Sequence, residues 1–141
     1  MKKFIVLPIL LLIIICNIYN KQEFSLSTYF NQGKLSYYTN TATNTLSVKL
    51  ADSYMSLTKP NAKIIGESMY FNNLEVISAI KTLKASVKFT EYLSEQNLTL
   101  IYCYTSLIPT YKYVKSNKIN LQISTCEEYS IIGWPLIYGS F

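Results

Sequence analysis

The sequence predicts an α+β fold, an antiparallel sheet with about two helices packed on one face, and three observations carry that prediction. Apolar residues alternate with polar ones in several short segments, the period of a half-buried strand. Two other segments place them three and four apart, the period of an amphipathic helix. Gly, Pro and short polar clusters separate the segments, and no long linker divides residues 21–141, which read as one domain of 141 less 20 residues. A chain of about 120 residues can bury roughly two-thirds of its unfolded surface.

The first twenty residues, "MKKFIVLPILLLIIICNIYN", put two lysines before an apolar run from Phe4 to Cys16. A charged start followed by about 7 to 15 apolar residues is the pattern of a secretory signal. A helix spanning a bilayer needs about 20 apolar residues, and Pro8 interrupts this one. The small residues preferred at a cleavage site are replaced by Ile18 and Tyr19, which leaves two outcomes open: a cleaved signal, or an anchor formed by residues 4–19. Either makes the protein extracytoplasmic, and an uncleaved segment would be its one tie to the membrane.

"EFSLSTYF" at Glu23–Phe30 alternates as a strand, and "NQGK" supplies its turn, with Gly33 able to take positive φ. "LSYYT" returns as a second strand or leads into the next segment. Leu46, Leu50, Tyr54 and Leu57 follow helical spacing and predict a helix over about 45–58, which Pro60 ends. "AKIIGESMYF" at Ala62–Phe71 is a strand, with Gly66 marking a bulge. Over residues 74–95, Leu74, Ile77, Ile80 and Leu83 favour a helix, while Leu74, Val76 and Ile80 also fit a strand. "NLTLIYCYTSLI" alternates clearly and is rich in β-branched and aromatic residues. Ile119, Leu121 and Ile123 should face the core, opposite Asn120, Gln122 and Ser124. "SIIGWPLIYGSF" adds a last strand broken at Gly133 and Pro135.

The chemistry available is narrow. The chain has no histidine and no arginine, so imidazole metal sites and Ser-His-Asp or Cys-His arrangements are excluded, and no cofactor motif occurs. Lacking arginine's bidentate fork, the chain is poorly equipped to read base edges, which disfavours nucleic acid as a partner. The net charge is +5, and removal of Lys2 and Lys3 with the signal leaves 11 basic against 8 acidic residues, or +3. Glu127 and Glu128 sit side by side on an expected turn, and Glu91 and Glu95 share a face only if helical; both pairs read as solvated surface. Glu67, Glu75 or Glu91 would matter for catalysis if one lay in a deep pocket with a raised pKa. Cys103 and Cys126 are the two cysteines beyond the signal, and an even count in an exported chain allows a disulfide. Tyr102, Tyr104, Tyr111 and Tyr113, interleaved with Lys112 and Lys115, form a candidate binding surface for a glycan, a peptide or an anionic polymer. The plainer account is that the β-strands of a chain from an AT-rich genome collect tyrosine.

"YTSLIPTYKYVKSNKINLQIS" followed by "IIGWPLIYGSF" resembles the carboxy-terminal half of the YwmB-like, TATA-box-binding-like exported proteins of Gram-positive bacteria. Their Tyr-Ser/Thr-x-Leu-Ile stretch matches Tyr104–Ile108, their "INL" strand Ile119–Leu121, and their Gly-x-Pro-ϕ-Ile strand Gly133–Ile137. "NQGKLS" at Asn31–Ser36 resembles the segment that precedes a helix in that family. The resemblance implies an exported α+β protein with a saddle-like sheet, here in a shortened form with a condensed "STCEEYSIIG" hairpin. It brings no site residues with it. The function expected is a non-catalytic, envelope-associated binding or interaction module that uses no cofactor. The alternatives are a hydrolase-type enzyme using carboxylates and a nucleic-acid-binding domain.

Overall fold

The computed structural model describes residues 24–40, 46–50 and 64–137. In chain order its strands are Lys34–Asn40 (β1), Leu46–Leu50 (β2), Ile64–Phe71 (β3), Ser86–Leu93 (β4), Leu98–Tyr104 (β5), Lys112–Val114 (β6), Asn117–Ile119 (β7), Leu121–Thr125 (β8) and Ser130–Trp134 (β9). The α-helix Val76–Thr82 (α1) lies between β3 and β4, and a 3-10 turn, Leu26–Thr28, precedes β1. Seven strands form one sheet in the order β2-β1-β3-β9-β8-β5-β4, with every neighbouring pair antiparallel, while β6 and β7 make a separate hairpin. The α+β class and the antiparallel sheet are therefore as the periodicities predict.

The register assigns the two faces. Cross-strand partners Met69 and Ile132, then Ile123, put their side chains into one buried cluster with Leu26, Phe71, Cys103, Leu121 and Trp134. Ala79 and Leu83 close this cluster from α1, and Ile108 closes it from the loop after β5. Leu98, Leu100 and Tyr102 point to the other face, where Ile119 of the β6–β7 hairpin, Val114 and Leu136 cover them. The β8 strand is consequently buried on both sides.

That arrangement corrects the alternation read at Ile119–Ser124. Leu121 and Ile123 belong to the cluster under α1, but Ile119 belongs to the opposite one. The chain breaks pairing at Asn120, whose side chain is 0% exposed and saturated: Oδ1 accepts from the Thr105 backbone N–H (2.8 Å), and Nδ2 donates to the carbonyls of Thr105 (2.7 Å) and Ile108 (2.9 Å). Gln122, expected on a solvated face, is also buried and accepts from the Ile137 N–H at 2.9 Å.

Three element assignments change. Of the strand expected at Glu23–Phe30, the described residues Phe24–Phe30 do not form one, because Leu26 turns into the core and its N–H goes to a side chain, Glu67 Oε2, at 2.8 Å rather than to a sheet ladder. The helix expected over 45–58 starts as strand β2, held by backbone pairing from Ser36–Leu50 to Asn40–Leu46; its remainder lies outside the described residues. Pairing with β1 outweighs the helical spacing of the leucines. Among the described residues there is accordingly one α-helix, not two. Residues 74–95 divide between both readings, α1 followed by β4, and Glu75 caps α1 by accepting from the Ser78 N–H at 3.1 Å.

Two glycine readings hold. Gly33 has φ of +133°, and the register slips beside Gly66, where Tyr38 faces Gly66 but Thr39 faces Ile64. A Cβ at Gly66 would stand 2.2 Å from the Trp134 carbonyl oxygen, so the close approach of β3 and β9 requires glycine there. Residues 1–20, read as signal or anchor, lie outside the described residues. Among the described residues no helix is long and apolar enough to cross a membrane.

Candidate functional site

The tyrosine-lysine surface is built on the face of β5 that carries the β6–β7 hairpin. Lys115 and Ser116 both take positive φ, 47° and 62°, the conformation of a two-residue turn whose twist suits a hairpin. Tyr113 then stands opposite Lys118, and Tyr111 lies two residues back on the same side. The Lys118 ammonium lies 4.0 Å from the Tyr111 ring centroid and 5.0 Å from that of Tyr104, and the Lys88 ammonium lies 6.0 Å from Tyr104. Tyr111 and Tyr113 meet edge to face at 5.7 Å while remaining 47% and 69% exposed. Such stacking holds a lysine head at a fixed place on an open surface without a carboxylate partner.

The structure thus gathers Tyr104, Tyr111, Lys112, Tyr113 and Lys115 around one hairpin together with Lys118, the third lysine interleaved with the tyrosines in the sequence, and it adds Lys88. Tyr102 is different. It is buried, stacked on Phe89 at 4.3 Å, and its hydroxyl donates to Glu91 Oε2 at 3.1 Å. Burial and the adjacent Glu91 charge raise its pKa. Glu91 in turn pairs with Lys115; that hydrogen bond, with the one from Tyr102, holds its pKa below the usual carboxylate range. Lys115 also lies 5.5 Å from the Phe89 ring centroid. Tyr102, Glu91 and Lys115 are therefore the footing of the surface, and Tyr104, Tyr111, Tyr113, Lys88 and Lys118 are its open part.

The cysteines are not brought together. Cys103 faces Leu121 across β5 and β8, whereas Cys126 follows Thr125, which faces Thr99. Five residues of strand separate those levels, about 17 Å at 3.4 Å per residue, against the roughly 7 Å limit for a disulfide. Both thiols are free, and burial pushes that of Cys103 up to about 11.

A second feature surrounds Glu67, which the sequence offers as a candidate without its setting. Tyr37, Glu67 and Trp134 pair in one row across β1, β3 and β9, so their side chains share a face. Under the 3-10 turn they line a cavity of about 510 Å³, with Phe24 and Ile65 beside them and Pro109 at the rim. Glu67 is 3% exposed; its Oε2 accepts from the Leu26 N–H at 2.8 Å and from the Trp134 indole N–H at 3.1 Å. Burial raises its pKa, with the Leu26 and Trp134 hydrogen bonds and Ser25 acting in the opposite sense. The signal was present: Ile65, Glu67, Met69 and Phe71 alternate, which puts one carboxylate on an apolar strand face. Glu75 is an exposed helix cap and Glu91 an ion-paired carboxylate, so of the three glutamates considered for catalysis Glu67 is the one that lines this pocket. Glu127 and Glu128 are exposed in the β8–β9 loop. No group of three or more potential metal-ligating side chains occurs among the described residues.

The chain matches no protein family, no curated protein and no solved structure.

Proposed function

We propose that this protein is an exported, non-catalytic binding module of the YwmB-like kind that holds an anionic polymer of the cell envelope on its tyrosine-lysine surface. The observation that carries the reading is the placement of Lys118 on the Tyr104 and Tyr111 rings, with Lys88 beside Tyr104. Glu91 is already matched by Lys115, so the remaining sign of this patch is positive. Exposed tyrosines add flat, rigid contact area around the fixed ammonium groups, a combination suited to a sugar or polyol chain bearing phosphate or carboxylate. Export rests on the charged and apolar first twenty residues, and the family likeness rests on the Tyr104–Ile108, Ile119–Leu121 and Gly133–Ile137 matches.

The test is sedimentation of the purified protein with Gram-positive cell walls, before and after their phosphate polymers are stripped with acid. Binding should fall on stripping, weaken with salt, and drop at least severalfold in a Lys88→Gln, Lys118→Gln double variant. Retention by stripped walls, or an unaffected double variant, would overturn the reading. Tight, steeply salt-dependent binding to duplex DNA would instead favour the nucleic-acid alternative. Export itself is checked by the mass and location of the mature chain; a full-length cytosolic protein would refute it.

A carboxylate enzyme is the second reading, and Glu67 is the observation in its favour. Against it, the hydrogen bonds that carboxyl accepts from the Leu26 and Trp134 N–H groups tie the 3-10 turn and Trp134 to the sheet, and Glu67 is the one acidic residue among the described residues lining its cavity. Glycosidase-type hydrolysis requires two carboxyl groups flanking the bond.

A further inference from the structure

We infer that the cavity floored by Tyr37, Glu67 and Trp134 is a binding site for a small organic ammonium ion, separate from the tyrosine-lysine surface. At about 510 Å³ it falls in the range of small-molecule pockets, and its walls are mainly apolar and aromatic. The row of Tyr37, Glu67 and Trp134 sets one carboxyl between two aromatic side chains, and Phe24 packs edge to face on the indole at 5.7 Å. Aromatic faces around an anion are what an alkylammonium group selects, through the ring quadrupole and charge-assisted hydrogen bonding.

The carboxyl retains capacity for a guest. An ionised carboxylate offers about four lone-pair sites; the Leu26 and Trp134 N–H groups both use Oε2 and the Ser25 side chain supplies one further hydrogen bond, which leaves a site for a guest. None of the three donors carries a full charge, and no lysine of the described residues forms an ion pair with Glu67. A buried carboxylate held by neutral donors alone is costly, and a cationic guest supplies the countercharge. An anion would meet Glu67 as a repelling charge, and a purely apolar guest would leave it uncompensated.

Trp134 is the single tryptophan of the chain, so its fluorescence reports this cavity alone. Titration with cyclohexylammonium at pH 7.5 should shift Trp134 emission saturably. Cyclohexanol, of nearly the same shape and uncharged, should bind about tenfold or more weakly, the size of one desolvated cation–π or charge-assisted contact. A Glu67→Gln variant with an intact melt should bind the ammonium no better than the alcohol, whereas Tyr92→Ala, at an exposed position on the edge strand β4, should leave the titration unchanged. Equal affinity for the two compounds, an undiminished Glu67→Gln variant, or calorimetric binding without a change in Trp134 emission would each overturn the assignment. The comparison of the two compounds uses the unaltered protein, so it decides the matter even if the variant fails to fold.

Discussion

Replacing Asn120 with leucine keeps the branching and heavy-atom count of the side chain, at a larger volume, while removing three buried hydrogen bonds. The Thr105 N–H loses its acceptor, and the Thr105 and Ile108 carbonyls lose the donor that lies at 2.7 and 2.9 Å. Leaving a buried polar group unpaired costs about 1–3 kcal/mol, so three groups, partly relieved by water entering from the loop, amount to about 3–5 kcal/mol. That is a large share of the roughly 5–15 kcal/mol available to a domain of this size. Urea unfolding, followed by circular dichroism, measures it, and Asn120→Asp is the informative companion. Aspartate keeps an acceptor for Thr105 but loses both donors and introduces a charge at a position that is 0% exposed, so it should destabilise at least as much. A leucine variant within about 1 kcal/mol of the parent would refute the reasoning, because packing alone would then account for the site. The loop that Asn120 holds leads through Pro109 at the rim of the cavity to Tyr111 on the surface patch, so both sites should weaken in the leucine variant even where it remains folded.

Three further outcomes follow from the geometry. Because burial raises the folded-state pKa of Glu67, ionisation penalises the folded protein: this contribution favours the fold at and below the unfolded pKa near 4.5 and is lost as pH rises through the folded value. Glu67→Gln should therefore gain stability relative to the parent between pH 4.5 and 7.5, and urea midpoints whose difference stays constant over that range would count against a buried, titrating Glu67. Cys103, fully buried and with its thiol raised to about 11, should resist alkylation in the native state while half-buried Cys126 reacts, and a non-reducing peptide map should contain no Cys103–Cys126 link. Ending the chain at Ile132 removes Trp134, Leu136 and Ile137; each such side chain contributes about 1.5–3 kcal/mol when fully buried, so the cooperative melt should disappear, and a sharp transition near the parental temperature would show that β3 and β8 do not depend on this segment.

The sequence is most readable where one period acts alone. β5 alternates plainly from Leu98 to Tyr104, and Gly33 announces its turn. Reading fails where a distant partner decides. Leu46 and Leu50 fit a helix until β1 is available to pair with them, and "EFSLSTYF" fits a strand until Glu67, forty-one residues later, takes the Leu26 N–H. Ile119 to Ser124 alternates in the letters, yet both sides are buried because β8 is central and the hairpin covers its second face. The tyrosine-lysine cluster was visible as composition and local spacing, but the burial of Tyr102 depends on β4 pairing and the grip of Lys118 on hairpin register. The Glu67 cavity needs three strands and a turn brought together, and its one trace in the sequence is a charge on an apolar strand face.

The position of β9 has a consequence for how the molecule is made. Before residues 130–134 are in place, the sheet exists as two groups of three strands, β2-β1-β3 and β8-β5-β4, with no ladder between them. The contact that joins them includes Trp134 and Glu67, sixty-seven residues apart, a long closure that slows folding. During synthesis the inner edges of β3 and β8 stay open until residues 130–134 have emerged, which exposes the nascent protein to edge-to-edge association.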